Sequence, residues 1–322
     1  MFSVERYSPI NKKNWDFFID ETKNQSFLFR REFMDYHSDR FNDHSLMIYD
    51  EKKLVAVIPA NVNDDKLISH QGLSYGSVLL DRQIRLSETV NVIKAVLEYL
   101  SNQNINTWII KLIPKMYYER PCDELDWILF KLNAKLIRRD TALAIDNRVS
   151  YLPYQERRNR SIKKAAKLSI KLKKGVEEFA PFWREVLVPN LLTKHGVEPV
   201  HTIDEILLLA SRFPDNIQQH TIYLDEKIVA GCTMFLNAKV AHAQYISGTD
   251  VGRDLGCLDF LFDHLIKKEY HNYTYFDFGI CNEQNGLVLN KGLLDWKEGF
   301  GARTIVHDFY EIKTNSFTLL NS

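Results

Sequence analysis

Residues 240–258 read VAHAQYISGTDVGRDLGCL, and two structural patterns meet inside them. The run 240–247 is strand-like and closes on Gln244-Tyr245-Ile246-Ser247. Arg253-Asp254-Leu255-Gly256-Cys257-Leu258 then opens a helix, because Leu258, Leu261, Phe262, Leu265 and Ile266 recur at i, i+3, i+4, i+7 and i+8. A strand that runs through an R-x-x-G-x-apolar turn into a helix gathers backbone N–H groups at one place, which suits a pyrophosphate. Gly256 lets the backbone approach such an anion closely.

Working outward, 220–224 and 228–237 are apolar or β-branched runs separated by Asp225-Glu226-Lys227, the pattern of a hairpin. With 240–247 they predict three consecutive antiparallel strands. Downstream come a strand over 273–279, a helix over 286–297 stopped by Gly299 and Gly301, and a strand over 304–312. The order β-β-β-α-β-α-β is that of a mixed α/β layer. The first half repeats it more faintly. Tyr49-Asp50-Glu51-Lys52-Lys53-Leu54 parallels Leu224-Asp225-Glu226-Lys227-Ile228, and 88–100, 107–114 and 123–133 match the later helix, strand and helix in the same order. An ordered series of matches predicts a duplicated domain, divided into 1–147 and 148–322.

The chain has 322 residues, 45% hydrophobic and 26% charged, with 42 basic against 42 acidic side chains. That mixture excludes a disordered chain. No apolar run reaches the ~18 residues of a membrane span, and Met1-Phe2-Ser3-Val4-Glu5-Arg6 lacks the basic-then-apolar order of a secretory signal. The four cysteines, Cys122, Cys232, Cys257 and Cys281, show no CxxC spacing and fit a reducing cytoplasm. HExxH does not occur, and Gly72-Leu73-Ser74-Tyr75-Gly76, which has the letters of G-x-S-x-G, is not read as a nucleophile elbow, so neither a serine hydrolase nor a metal site is expected. Neutrality is not uniform, however. Residues 148–174 hold ten Lys/Arg and one acid, Glu156, a net +9 set against −9 elsewhere. This segment reads as a helix followed by a short strand, and it is either a solvated face or a site for a polyanionic group. Zero net charge argues against bulk nucleic-acid binding, but not against a small, doubly phosphorylated substrate.

The turn at 253–258 resembles the pyrophosphate motif of the GNAT acyltransferase superfamily. Phe276-Asp277-Phe278-Gly279 and Leu293-Leu294-Asp295-Trp296-Lys297-Glu298-Gly299-Phe300 are similar to its fifth strand and the following helix end. Two positions depart from the pattern: Leu258 replaces a small residue, and Asp295 stands where the superfamily often has the tyrosine that protonates the leaving thiolate. The duplication, together with Arg157-Arg158-Asn159-Arg160-Ser161-Ile162-Lys163-Lys164-Ala165, resembles the FemAB-like branch. Residues 31–43, 69–76 and 199–202 are more similar to bacterial N-acyltransferases of dTDP-amino sugars, such as dTDP-3-amino-3,6-dideoxy-D-galactose.

This resemblance implies two tandem GNAT-like domains with mixed, mainly antiparallel central sheets flanked by helices. It implies a cytoplasmic enzyme of surface glycan biosynthesis (lipopolysaccharide or capsule) that moves an acyl group from a coenzyme A thioester to the amine of a nucleotide-linked sugar. The second domain would hold CoA with Tyr245, Ile246, Ser247, Arg253, Gly256, Cys257 and Leu258, without a metal. The first domain has no glycine-containing turn in 77–86 and would shape the acceptor cleft. Arg158, Lys164, Lys291 and Lys297 would meet phosphate, with Tyr75 and Asp277 also on the acceptor. Attack requires a proton acceptor for the amine and a donor for the oxyanion; Glu283, His70, His201 and Asp277 are the candidate bases, and backbone N–H near Tyr245–Ile246 the candidate donor. Plain readings stand beside these: His201 precedes Thr202, a helix N-cap with Glu205 at the capping-box position, and Tyr75, Trp108, Tyr117, Tyr118, Trp296 and Phe300 default to core. The expected partners are the nucleotide sugar and acyl-CoA, with neither nucleic acid nor a membrane span. Two rivals remain. One is aminoacyl transfer from tRNA to a cell-wall precursor, as FemAB proteins perform, which has no need of a CoA turn. The other is a non-catalytic module holding RNA or a phosphorylated partner, for which no aromatic-rich recognition motif is present.

Overall fold

A computed structural model describes residues 2–321. The chain forms two compact units. One takes the residues up to Asp140, Gln284–Leu287 and those from Val306 on; the other takes Thr141–Glu283 and Val288–Ile305. The chain passes between the units after Asp140, Glu283, Leu287 and Ile305.

The second unit is built on six strands. Residues 141–146 lie beside Tyr275–Ile280, followed by Val240–Gly248, Lys227–Leu236, Ile217–Leu224 and Ile170–Lys174. Every pairing is antiparallel except Val240–Gly248 with Tyr275–Ile280. The Asp225-Glu226 turn has φ of 48° and 60°, both left-handed, which is the two-residue geometry that matches strand twist. The helix Cys257–His264 runs on as a π-turn over Leu265–Glu269 and buries Leu261, Phe262, Leu265 and Ile266, as their spacing requires. Phe262, Phe276, Phe278 and Phe300 complete an aromatic core, with Phe262 and Phe278 stacked at 5.3 Å.

One element differs from expectation. The helix predicted over 286–297 begins only at Lys291 and ends at Glu298. Before it, Asn282–Glu283 and Val288–Leu289 pair as a short hairpin. Gln284, Asn285 and Gly286 all have positive φ, which no α-helix contains, and Asn290 then caps the true helix by accepting from Leu293 N at 3.0 Å. Helices Phe179–Phe182 and Val188–His195 fill a stretch for which no element was predicted, and Ile203–Arg212 follows the expected N-cap at Thr202.

The first unit has a comparable plan. Phe2–Arg6, Leu46–Asp50, Lys53–Ile58 and Leu79–Leu80 form one antiparallel sheet. Asn61–Asn63, Lys66–Ile68 and Thr107–Lys111 form a second group, joined by residues 309–313. The helix Leu86–Asn102 packs Val92, Val96, Leu97 and Leu100 into a core around Trp108. The molecule is thus mixed α/β, with mainly antiparallel central sheets flanked by helices.

Candidate active site

Val240–Gly248 and Tyr275–Ile280 pair in parallel only at Val240↔Tyr275, Ala241↔Phe276 and His242↔Asp277. Beyond that third pair the strands part. Two local features open them. On one side a bulge opposite Thr233/Met234 absorbs Gln244, so that Tyr245 pairs with Thr233 and Ala243 with Met234. On the other, Gly279 has φ +72°, a left-handed residue that bends the strand after Phe278.

At the vertex, His242 Nδ1 lies 2.7 Å from an Asp277 carboxylate oxygen, and Asp277 is fully buried. The other carboxylate oxygen accepts from Gly279 N–H at 2.8 Å. A buried carboxylate on Nδ1 fixes the ring and leaves Nε2 as its working nitrogen. Nε2 lies 3.1 Å from the side-chain amide of Gln244, whose O and NH2 ends interchange by rotation. His242, Gln244 and Ile246 are the half-buried residues of this strand, alternating with buried Ala241, Ala243, Tyr245 and Ser247. Lys297 is buried below the bend and donates to the carbonyls of Gly279 at 2.9 Å and Ile280 at 2.7 Å. Burial lowers its ammonium to about 8, and Asp277 acts in the opposite direction.

A second hydrogen-bonded pair sits on the buried face of the strand. His201 Nδ1 and Tyr245 Oη are 2.5 Å apart, and Tyr245 Oη also accepts from His201 N–H at 3.2 Å. Trp183 packs edge-on against Tyr245 at 5.1 Å and donates to the His201 carbonyl. The Thr202–Glu205 capping box is present in both directions. Ser247 Oγ donates to Val186 O.

The remaining candidates are dispersed. Glu283 is exposed and accepts from Asn290 Nδ2 at 2.8 Å, so its carboxylate steadies the cap of the helix Lys291–Glu298. Lys291 is exposed at that helix's first position. In the first unit, His70 is buried and its Nδ1 has no hydrogen-bond partner; burial, with nearby His37 adding, pushes its ring down to about 3. Tyr75 is buried among Phe29 and Tyr117.

The turn after the strand is a joint between helices. Thr249 caps the short helix Asp250–Asp254, and Gly256, with φ +80°, passes directly into Cys257–His264. A Cβ at Gly256 would meet the Ser161 carbonyl at 2.5 Å, so glycine is required here for the approach of the basic helix. The Arg253 guanidinium is held by Asp250, the Gly248 carbonyl and Asn190. The donors this turn can offer a pyrophosphate are the first-turn N–H groups of Cys257 and Leu258, which have no intrahelical partner.

The basic segment is more nearly neutral than its sequence. Arg148 pairs with Asp146, Arg157 with Asp295, Lys171 with Glu226, Lys173 with Glu178 and Lys174 with Glu269. Arg158 is internal: both Asp259 oxygens lie 2.5 Å from its Nη1, and Trp296 Nε1 donates to the same carboxylate. Arg158, expected at a phosphate, thus braces the inside of the unit. That leaves Arg160, Lys163, Lys164 and Lys167, all exposed and at i, i+3, i+4 and i+7, as one basic stripe on the helix Glu156–Ala165 and the residues just after it. Lys164 also donates to the Asp254 carbonyl at 2.8 Å.

His242 is the residue that pattern reading passed over. Its signal was available: a histidine and a glutamine two apart on a strand, with Asp277 central in the next predicted strand. No helix among the described residues is long and apolar enough to cross a membrane, and none of their acidic, His or Cys side chains cluster as metal ligands.

Residues 154–298 match the acetyltransferase (GNAT) domain family. None of the curated proteins matches the sequence significantly. Among solved structures, the chain is similar to FemX, with 9% identity over 99% of both chains and a TM-score of 0.66. It is also similar to the C-terminal domain of a putative lysylphosphatidylglycerol synthetase from Agrobacterium fabrum, with 11% identity over 94% of this chain and 92% of that one and a TM-score of 0.61. A tandem GNAT protein from the clavulanic acid biosynthesis pathway matches at 10% identity over 98% and 99%, with a TM-score of 0.51. At such identities the likeness shows the fold: two GNAT-like domains in tandem. The matched residues 154–298 contain the parted strands and their His–Asp vertex.

Proposed function

We propose that the protein is an N-acyltransferase that moves an acyl group from acyl-CoA to the amine of a dTDP-linked amino-deoxy sugar, in the cytoplasm, for surface glycan assembly. The observation that carries this reading is the parting of Val240–Gly248 from Tyr275–Ile280 beyond a His242–Asp277 pair. A parted parallel pair offers a slot bordered by backbone that no longer serves the ladder. One edge of the slot holds an imidazole already oriented by a buried carboxylate.

In this reading the acceptor amine gives its proton to His242 Nε2, directly or through one water, and the free amine attacks the acyl carbonyl. Backbone N–H at Tyr245–Ile246, past the bulge, meets the developing oxyanion. The N–H groups of Cys257 and Leu258, followed on the helix by the half-buried Leu258 side chain, would hold the pyrophosphate of CoA. The exposed stripe from Arg160 to Lys167, with Lys291, would attract the nucleotide diphosphate. His70, Tyr75 and Glu283 would act through structure.

Aminoacyl-tRNA is the second candidate donor. It is favoured by Arg253, whose guanidinium is already engaged and so leaves the turn without a cation for CoA. One experiment separates the two. Thiol release is followed with acetyl-CoA and longer acyl-CoAs against dTDP-amino sugars, in parallel with transfer from charged tRNA. Thiol release that depends on the amino sugar supports the proposal. Transfer only from charged tRNA, or no CoA binding by calorimetry, overturns it.

A further inference from the structure

We propose that Lys297 is a positioning residue for His242, acting through the bent end of the strand Tyr275–Ile280. The inference rests on the reading of His242 as the proton acceptor. A continuous set of contacts joins the two residues. Lys297 Nζ donates to the carbonyls of Gly279 and Ile280, at 2.9 and 2.7 Å. Gly279 N–H donates to one oxygen of Asp277 at 2.8 Å, and the other oxygen takes Nδ1 of His242 at 2.7 Å. Gly279 also lies against the ring itself, since a Cβ there would stand 3.2 Å from His242 Cε1. The bend, the carboxylate and the imidazole therefore move together.

The chemistry of Lys297 is unusual for its surroundings. Lysine is rarely buried unless paired, and this one is 2% exposed and forms no salt bridge among the described residues. Its two acceptors lie where the register with residues 141–146 breaks, between Asp277 and the resumed pair Ile280↔Ala142. An ammonium held on two carbonyls at a strand end turns that end away from Val240–Gly248 and keeps the slot open. The cap of its helix is steadied in turn by Asn290 and Glu283, so the hairpin 282–289 also anchors the lysine. The titratable groups that face it are Asp277 and Cys281, and its own charge weakens as the pH passes about 8.

The test uses the full chain with Lys297→Met and Lys297→Gln, the second keeping a donor for the carbonyls while removing the charge. The first readout does not depend on substrate. In the wild type the Nδ1 proton of His242, bonded to Asp277, gives a protected downfield NMR resonance, which Asp277→Asn removes. The proposal expects K297M to broaden that resonance or raise its exchange about tenfold, with K297Q intermediate. The second readout is kinetic: kcat falls about tenfold in K297M with the donor KM within about twofold, and the wild type converges on K297M above pH 8. An unchanged His242 resonance in both variants, or a pH profile that superimposes on the wild type, overturns the proposal. If no acyl donor is turned over by the wild type, the proposed function fails while the resonance still decides the role of Lys297.

Discussion

The two units build the same parted strand pair and put different side chains in it. In the first unit, Lys66↔Thr107, Leu67↔Trp108 and Ile68↔Ile109 pair in parallel before the strands separate; in the second, the pairs are Val240↔Tyr275, Ala241↔Phe276 and His242↔Asp277. The third rung is Ile–Ile in one and His–Asp in the other. Two residues further on, Lys111 takes the place of Gly279. Lys111 is buried, lowered by that burial to about 7, and its ammonium donates to the Leu73 carbonyl at 2.5 Å, while Gly76 N–H bonds the Lys111 carbonyl. Residues 69–77 thus close the first opening with the unit's own chain. A repeated scaffold need not repeat side chains: the backbone of the slot is present in both units, and the His–Asp pair occurs in one.

The largest effect expected follows from that rung. Asp277→Asn keeps the volume but stops holding His242 in the productive tautomer, and turnover should fall about 10³-fold. The matching change in the first unit, Ile109→Asn, should leave turnover within about threefold. Steady-state thiol release on the two variants measures both. Equal losses would break the comparison.

A smaller effect is expected at the bend. Gly279→Ala puts a Cβ on a left-handed residue and 3.2 Å from the His242 ring. It should lower stability by about 1–2 kcal/mol, read from denaturant midpoints, and turnover about tenfold.

Which features the sequence disclosed follows from how local their causes are. The hairpin at Asp225-Glu226, the helix starting at Cys257 and the capping box at Thr202 depend on residues within one turn of each other, and all are present. The helix expected from 286 is replaced by a hairpin because three consecutive positive-φ residues decide it, and Gln284 and Asn285 carry only a weak signal for that conformation. Charge was harder to read than shape. The +9 segment contains Arg158, whose carboxylate lies 101 residues away at Asp259, and no spacing rule links them. The His242–Asp277 pair is non-local in the same way: it exists because two strands separated by a helix lie side by side for three residues. Gly256 shows the same limit: the Ser161 carbonyl that a Cβ there would meet lies on a helix far away in sequence.

The least direct effect is on acid stability. His70 in the first unit and His220 in the second are both held down to about 3 by burial. The folded protein refuses a proton that the unfolded chain accepts near 6.5. Stability is therefore full above 6.5 and falls as the pH drops toward 3, by at most about 1.4 kcal/mol per pH unit for each ring. His70→Asn should flatten part of that slope in urea melts between pH 6 and 4, with the remainder belonging to His220. An unchanged slope would show that His70 takes its proton freely.

The central claim is that proton acceptance belongs to the second unit's opened strands. It is tested most directly by thiol release from His242→Ala beside His70→Ala, with both variants matched to the wild type by thermal melt. The account predicts a loss of at least about 100-fold for H242A and activity within about threefold for H70A. Full activity in H242A with loss in H70A would contradict it.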